Sequence, residues 1–428
     1  MQRTISLKHI TKIEGHAKLT IEIETGRVRN VELSVFEGAR YFEGILRGRK
    51  YNEASVLTSR ICGICSCIHT TASLLAIENA LNVTPSEQTM LLREIMCLGE
   101  RIRSHATHLY FFTLPDYLGY PSAVAMSTRH KDKVKRALEL IKLGNDIVMT
   151  TSGREMHPVA PRIGGFSRLP EKNELDSLLS RLKNSKKDTM ETGKLFAKLK
   201  YPKFERKTTH FALDNDTNYA ILDGKISCVG EACIPLETYM DYFKEFVSSY
   251  STAKYVLKEG KEDYMVSALS RINQKMSYLS DDAIEVLRMA KIKLPCNNPF
   301  MNNVAQAAEL VHAVDRIIEI LSTLELKDEK PEKPRVKAGK GISCVEAPRG
   351  LLFHDYEINS NGIIKKVNII TPTAQNVKKI ENDIWAFVPG ILHKSKEDVI
   401  LEIEKLIRAY DPCISCSTHF LEVDWKDI

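Results

Sequence analysis

The chain has 428 residues, 43% of them hydrophobic and 27% charged, which is enough apolar mass for a large folded core. Its 61 basic and 55 acidic residues leave a formal charge of +6, and no basic run is interleaved with aromatics, which argues against nucleic acid as a partner. No apolar stretch reaches the ~18 residues of a membrane helix, and Met1-Gln2-Arg3-Thr4-Ile5-Ser6 carries neither a secretory h-region nor a twin-Arg signal; the expectation is a cytoplasmic protein with no membrane span.

Leu19-Thr20-Ile21-Glu22-Ile23 alternates, Thr25-Gly26 turns, and Val31-Glu32-Leu33-Ser34-Val35 alternates back, which predicts a β-hairpin. The residues before Cys62 read as a strand-like run giving way to helix. Thr84-Pro85-Ser86-Glu87 reads as a capping box with Pro at the first helical position. Beyond it, Leu91, Ile95, Leu98, Ile102, His105 and Leu109 repeat at helical spacing, so a long helix with one buried face is expected. Further helical patterns cover 130–150, 235–258 and 262–325. The charged, Pro-punctuated segment Lys327-Asp328-Glu329-Lys330-Pro331-Glu332-Lys333-Pro334 reads as a surface connection. Strand patterns return over 342–372, turning at Asn359-Ser360-Asn361-Gly362. A last helix starts at Ser395, carries Val399, Ile403, Leu406 and Tyr410 on one face, and stops at Asp411-Pro412 because Pro disfavours helical geometry in the residue before it. The fold class expected is α+β, mainly α: a helical body over 60–325 with long central helices, and small β elements from both chain ends, 1–50 and 342–380. With the C-terminal helix and cysteine motif at 395–419, residues 1–428 read as a single domain.

Two cysteine motifs stand out: Arg60-Ile61-Cys62-Gly63-Ile64-Cys65-Ser66-Cys67-Ile68-His69 and Asp411-Pro412-Cys413-Ile414-Ser415-Cys416-Ser417-Thr418-His419. Each CxxC brings two sulfurs to one side of a tight turn, as four-thiolate metal sites require. Soft thiolates select soft or borderline metals over magnesium or calcium. Zinc ribbons keep their two pairs within about 15–20 residues, whereas roughly 350 residues intervene here, so the pairs would join opposite ends of the fold. Spacing alone leaves structural zinc, an iron–sulfur cluster and a catalytic metal all open.

The two motifs resemble the N- and C-terminal signatures of nickel–iron hydrogenase large subunits, RxCGxCxxxH and DPCxxCxxH. The similarity extends to Ile13-Glu14-Gly15-His16, Phe42-Glu43 with Gly48-Arg49, Ser104-His105-Ala106-Thr107-His108 and Gly153-Arg154-Glu155-Met156-His157-Pro158. It continues through Gly164-Gly165-Phe166, Ala347-Pro348-Arg349-Gly350 and Thr371-Pro372-Thr373-Ala374-Gln375-Asn376. This resemblance implies reversible oxidation of dihydrogen to protons and electrons at a nickel–iron centre. Cys62 and Cys413 would be terminal nickel ligands, and Cys65 and Cys416 would bridge nickel to iron, which carries CO and CN ligands installed by maturation enzymes.

Arg349 resembles the guanidine poised over the open coordination position, with Asp411 and Pro348 holding it. Cys413 is the competing proton acceptor, and Glu14 resembles the first proton relay beyond it. His69, four residues after Cys65, resembles the imidazole that donates to a bridging sulfur. Thr373 and the backbone after Pro372 resemble a pocket for a cyanide ligand. Glu43 and His419 resemble ligands of a second site for magnesium or iron. His157 would lie towards the neighbouring subunit. Cys344 reads as packing, and Cys67, Cys97, Cys228, Cys233 and Cys296 as buried apolar residues.

The family often has Asp where Ser104 stands, which moves this chain toward the cytoplasmic multimeric bidirectional branch. The implied partners are an iron–sulfur small subunit, together with further electron-transfer subunits carrying flavin or iron–sulfur clusters, ending at a soluble acceptor. Residues Phe420 to Ile428 follow His419, and in relatives an endopeptidase removes such a tail once nickel is loaded, so a maturation endopeptidase is a further expected partner. Two readings of other classes compete: a quinone-type redox-coupling subunit of the same fold, which lacks the four-cysteine site, and a structural scaffold in which a metal clamps the chain ends.

Overall fold

A computed structural model describes residues 2–36, 41–230 and 233–418. The N-terminal alternation becomes a three-stranded antiparallel sheet, β1 (Gln2–Leu7), β2 (Ala17–Glu24) and β3 (Arg27–Val35), in the order β1-β2-β3. Leu19, Ile21 and Ile23 face the core while Lys18, Glu22 and Glu24 do not, as a half-buried strand requires.

The helical body follows: α1 (Ser66–Leu81), α2 (Glu87–Thr107), α3 (Lys131–Ser152) and α4 (Lys172–Ala197). Two short hairpins come next, β4 (Phe211–Asp214) with β5 (Lys225–Cys228) and β6 (Phe243–Val247) with β7 (Lys254–Lys258). Helices α5 (Ala268–Lys275), α6 (Asp281–Met289) and α7 (Asn302–Thr323) complete the body. A second three-stranded antiparallel sheet, β8 (Gly339–Ala347), β9 (Gly350–Ile358) and β10 (Ile364–Ile370), leads into α8 (Pro372–Phe387) and α9 (Lys396–Ala409). The fold is thus helical with small antiparallel sheets, as expected.

Several local expectations need correcting. The cap of α2 is Ser86, whose hydroxyl accepts the Thr89 amide at 3.1 Å; Pro85 therefore precedes the helix instead of opening it. The stretch before Cys62 is helical, Ala54–Thr58 continuing into a tight turn over Ser59–Ile61, and not strand-like. Residues 235–258 do not form a long helix: short turns over Leu236–Tyr242 pass into the β6–β7 hairpin. There Phe243, Tyr255 and Val256 bury against neighbours distant in sequence, and the β-branched and aromatic content suits a pleated surface. The long α4 and the buried α8 escaped the sequence reading.

Two glycines set close approaches beside the site motifs. A Cβ on Gly341 would lie 2.0 Å from the Ala76 carbonyl oxygen, so only glycine lets β8 run against α1. Gly350 has φ of 129°, and a Cβ there would lie 2.6 Å from the Val266 side chain, so glycine makes the turn between β8 and β9. The two ends of the chain meet where Ile414 N donates to the Glu14 carbonyl at 2.9 Å. Among the described residues, no helix is long and apolar enough to cross a membrane.

Candidate metal centre

Cys62 ends the tight turn Ser59–Ile61 in extended backbone, and Cys65 caps the N-terminus of α1. Cys413 caps, and Cys416 lies within, the single helical turn Ile414–Ser417 that follows α9, and Asp411 just before it adopts φ of 50°. The four sulfurs converge: all are buried, none is in a disulfide, and their ligand atoms lie within 4.8 Å of one another. Cys62 Sγ is 3.3 Å from Cys413 Sγ, which is 2.9 Å from Cys416 Sγ. Crowding four thiols in a dry interior favours sharing protons. Hydrogen bonds from Cys413, Cys416 and Cys65 hold Cys62 well below the ordinary thiol range, while burial pushes Cys413 well above it. A soft cation would replace these protons, so the donor set fits a thiolate-bound nickel or iron.

Arg349, at the turn between β8 and β9, is buried over the cluster. Its Nε donates to the Asp411 carbonyl at 2.7 Å and one Nη to Asp411 Oδ1 at 2.9 Å. The other Nη reaches Cys65 Sγ at 3.2 Å and Ser104 Oγ at 3.3 Å. Burial alone would favour a neutral guanidine, but Asp411 and the sulfurs of Cys65, Cys413 and Cys62 outweigh it and hold Arg349 well above its ordinary value. Asp411 is fixed from behind by Gln306 of α7, whose amide donates to Oδ2 at 3.0 Å.

Glu14 meets the cluster at Cys413. Its Oε2 lies 3.2 Å from Cys413 Sγ and accepts the Ser415 amide at 2.9 Å, while the Ser415 hydroxyl donates to Oε1. The segment carrying Glu14 is docked by Arg408, which donates to the Thr11 carbonyl at 2.9 Å and pairs with Asp116 at 2.6 Å.

The remaining expected residues fall as follows. Thr373 Oγ1 accepts the Cys413 amide at 3.0 Å, so it supports the cysteine backbone directly. Pro348 accepts a guanidinium hydrogen bond from Arg271 at 2.9 Å. His69 Nδ1 lies 3.2 Å from His354 Nε2, in a buried chain that continues through the Tyr356 hydroxyl. His157 bonds Ser66 Oγ and the Ser59 carbonyl, and so packs against the first cysteine loop. Glu43 is set apart: its Oε1 meets Lys254 Nζ at 3.0 Å and the Ile369 amide at 2.8 Å. Burial raises the Glu43 carboxyl above its usual range. His419 lies outside the described residues, and no second cluster of three or more His, Cys, Asp or Glu ligands gathers among the described ones. With Lys254 compensating Glu43, the described donors alone do not make a divalent-cation site.

Cys67, Cys97, Cys228, Cys296 and Cys344 are buried as expected, but Cys233 is exposed, contrary to the expectation that it packs in the core. Gly230 and Pro235 beside it are exposed as well, while the adjacent Ile234 is the residue that bridges to Ile226 and turns inward, leaving Cys233 on the solvent side. Sequence reasoning also missed Gln306 of α7, which holds Asp411, and Glu309 one turn on, which pairs with Arg271. The available signal was a polar row at Gln306, Glu309 and His312, three residues apart inside an otherwise apolar helix.

The family model described as nickel-dependent hydrogenase matches residues 40–171 and 268–419. The chain belongs to the nickel-dependent hydrogenase family. It is 37% identical to the alpha chain of sulfhydrogenase 1 from Pyrococcus furiosus, covering 98% of each chain. It is 34% identical to the alpha chain of sulfhydrogenase 2 from the same organism, covering 98% of this chain and 100% of that one. The crystal structure of an NAD+-reducing [NiFe]-hydrogenase in the H2-reduced state superposes with a TM-score of 0.87 at 24% identity, over 97% of this chain and 99% of that one. As a family member of the large-subunit type, the protein is an oxidoreductase acting on hydrogen.

Proposed function

We propose that this hydrogenase chain is the catalytic subunit that reversibly oxidises dihydrogen to protons and electrons at a nickel–iron centre held by Cys62, Cys65, Cys413 and Cys416. Cys62 and Cys413 would be terminal on nickel, and Cys65 and Cys416 would bridge to an iron bearing CO and CN. The observation that carries this reading is the convergence on one buried cluster of an arginine and a carboxylate from distant parts of the chain.

When bound, the centre supplies an open coordination position at which dihydrogen is polarised for heterolytic cleavage. The protein's own groups then divide the work. Arg349, kept cationic by Asp411, presents a fixed positive charge and spends its donors on orientation, so it acts by preorganised electrostatics and not as a base. Cys413 Sγ takes the proton and passes it to Glu14 Oε2, which Ser415 orients. Thr373 holds the Cys413 backbone, and its hydroxyl proton would donate toward a cyanide ligand of the bound centre. His69, oriented by His354, would donate toward a bridging sulfur.

Electrons would leave through an iron–sulfur small subunit docked beside His157 and the first cysteine loop, then through flavin or iron–sulfur subunits to a soluble acceptor in the cytoplasm. A maturation endopeptidase acting after His419 belongs to the same reading, as does His419 as the partner Glu43 would need for a second metal. Neither a quinone-type coupling subunit nor a zinc clamp requires an arginine and a carboxylate poised on the sulfurs.

The test is metal analysis of the purified complex with infrared spectroscopy on the same sample. Nickel and iron with cyanide and carbonyl stretches are expected. Zinc alone, with no response to hydrogen, would leave a structural clamp.

A further inference from the structure

Directly behind Arg349 lies a second arginine that the mechanism does not use. Arg271, on α5, is fully buried, and every one of its five N–H groups has an acceptor. Nε and one Nη go to the Glu309 carboxylate, the latter at 2.8 Å. The other Nη reaches Glu346 Oε2 at 2.8 Å. The two remaining N–H groups cap the carbonyls of Ala347, at 3.0 Å, and Pro348, at 2.9 Å. These are the two residues that lead into Arg349. Both carboxylates are themselves held: Glu309 by the Tyr219 hydroxyl at 2.6 Å and His105 at 2.8 Å, Glu346 by the Leu213 amide at 2.8 Å.

Resting on the proposed role of Arg349, we propose that Arg271, clamped between Glu309 and Glu346, is a positioning residue that fixes the Ala347–Gly350 turn and so aims the Arg349 guanidinium at the cysteine cluster. Gly350 gives that turn its shape but no side-chain anchor, and Arg349 itself is tethered at its far end, by Asp411 and Ser104. The two carbonyl caps from Arg271 hold the near end. Helix α7 underlies both ends, Glu309 acting through Arg271 and Gln306 through Asp411, one helical turn apart.

The experiment uses Arg271→Lys in the complete hydrogenase complex. Lysine keeps the charge opposite Glu309 and Glu346 but cannot reach both carbonyls at once. We expect nickel and iron content to stay full, kcat to fall about 10- to 100-fold, and KM for hydrogen to stay unchanged, because misaiming a preorganised group costs rate and not substrate binding. In an Arg349→Lys background the further loss should shrink to less than about threefold, since both changes remove one function. In the full-length metal-free chain, amide hydrogen exchange over residues 345–352 should accelerate while the α2 amides keep their protection. Glu346→Gln, which loosens one side of the clamp and retains the arginine, is the second variant and should move kcat and exchange in the same direction. Unchanged exchange over the turn in both variants, or fully multiplicative losses in the double variant, overturns the proposal. If the unaltered complex proves inactive with hydrogen, the functional reading fails, and the exchange measurement still decides whether Arg271 holds the turn.

Discussion

Replacing Arg349 with lysine separates charge from geometry at the cluster. The wild-type guanidinium makes two hydrogen bonds to Asp411, at 2.7 and 2.9 Å, and one each to Cys65 and Ser104, at 3.2 and 3.3 Å. An ammonium on a flexible stem retains the positive charge but has three donors and no planar fork, so at most one contact to Asp411 and one toward the sulfur survive together. Losing two charge-assisted bonds, at roughly 1.5–2 kcal/mol each, amounts to about 3–4 kcal/mol. If those bonds are expressed in the transition state, the rate falls by about two to three orders of magnitude. That matches the usual cost of removing one preorganised donor, about 10²–10³ in kcat. Asp411 stays paired with a cation and with Gln306, so folding and metal loading should survive. The assay is hydrogen-driven reduction of a one-electron dye, normalised to nickel and iron per chain. Activity within about threefold of the unaltered protein at full metal content would refute the role of preorganised charge. Activity lost only in proportion to missing nickel would move Arg349 from chemistry to assembly.

Glu14→Gln preserves the shape that Ser415 holds but cannot accept the proton from Cys413; it should keep its metals and lose rapid hydrogen–deuterium exchange, and unchanged isotope exchange would remove Glu14 from the proton path. Acid stability should depend on His210 and His312, which burial lowers from 6.5 to about 4. The unfolded chain binds a proton at each below pH 6.5 while the folded one resists to about 4, so stability present above pH 6.5 is lost as pH falls through that window, by up to about 3 kcal/mol per histidine. Denaturant titrations of His210→Gln should show a pH slope shallower by one proton between 6.5 and 4, and a slope equal to the parent's would mean the histidine is not held neutral.

Residues that carry their chemistry in short, local patterns were readable in order. The CxxC pairs are such a case: a two-residue spacing brings both sulfurs to one side of a turn whatever the rest of the chain does. The hairpin at 19–35 and the helix from Ser395 were readable for the same reason, because period and capping are local properties. Where burial comes from distant neighbours, the local pattern misled. The stretch 235–258 has residues at helical spacing, but Tyr255 donates to the Leu33 carbonyl at 3.2 Å and Tyr239 stacks on Phe353, and those contacts select strand and turn.

At the metal centre the same division holds. The sequence alone determined that four thiols stand in two pairs at opposite ends, that Pro-Arg-Gly and Asp-Pro accompany them, and that Ile13-Glu14-Gly15-His16 precedes the first hairpin; the family resemblance those motifs carry was borne out by the comparisons. Only the tertiary structure decided that Glu14 meets Cys413, that Gln306 backs Asp411, and that Arg271 with Glu309 and Glu346 lies under Pro348. These contacts join residues far apart in the chain, and a buried charge is tolerable only where such partners already surround it. That condition is a property of the packed interior, so no window of sequence contains it.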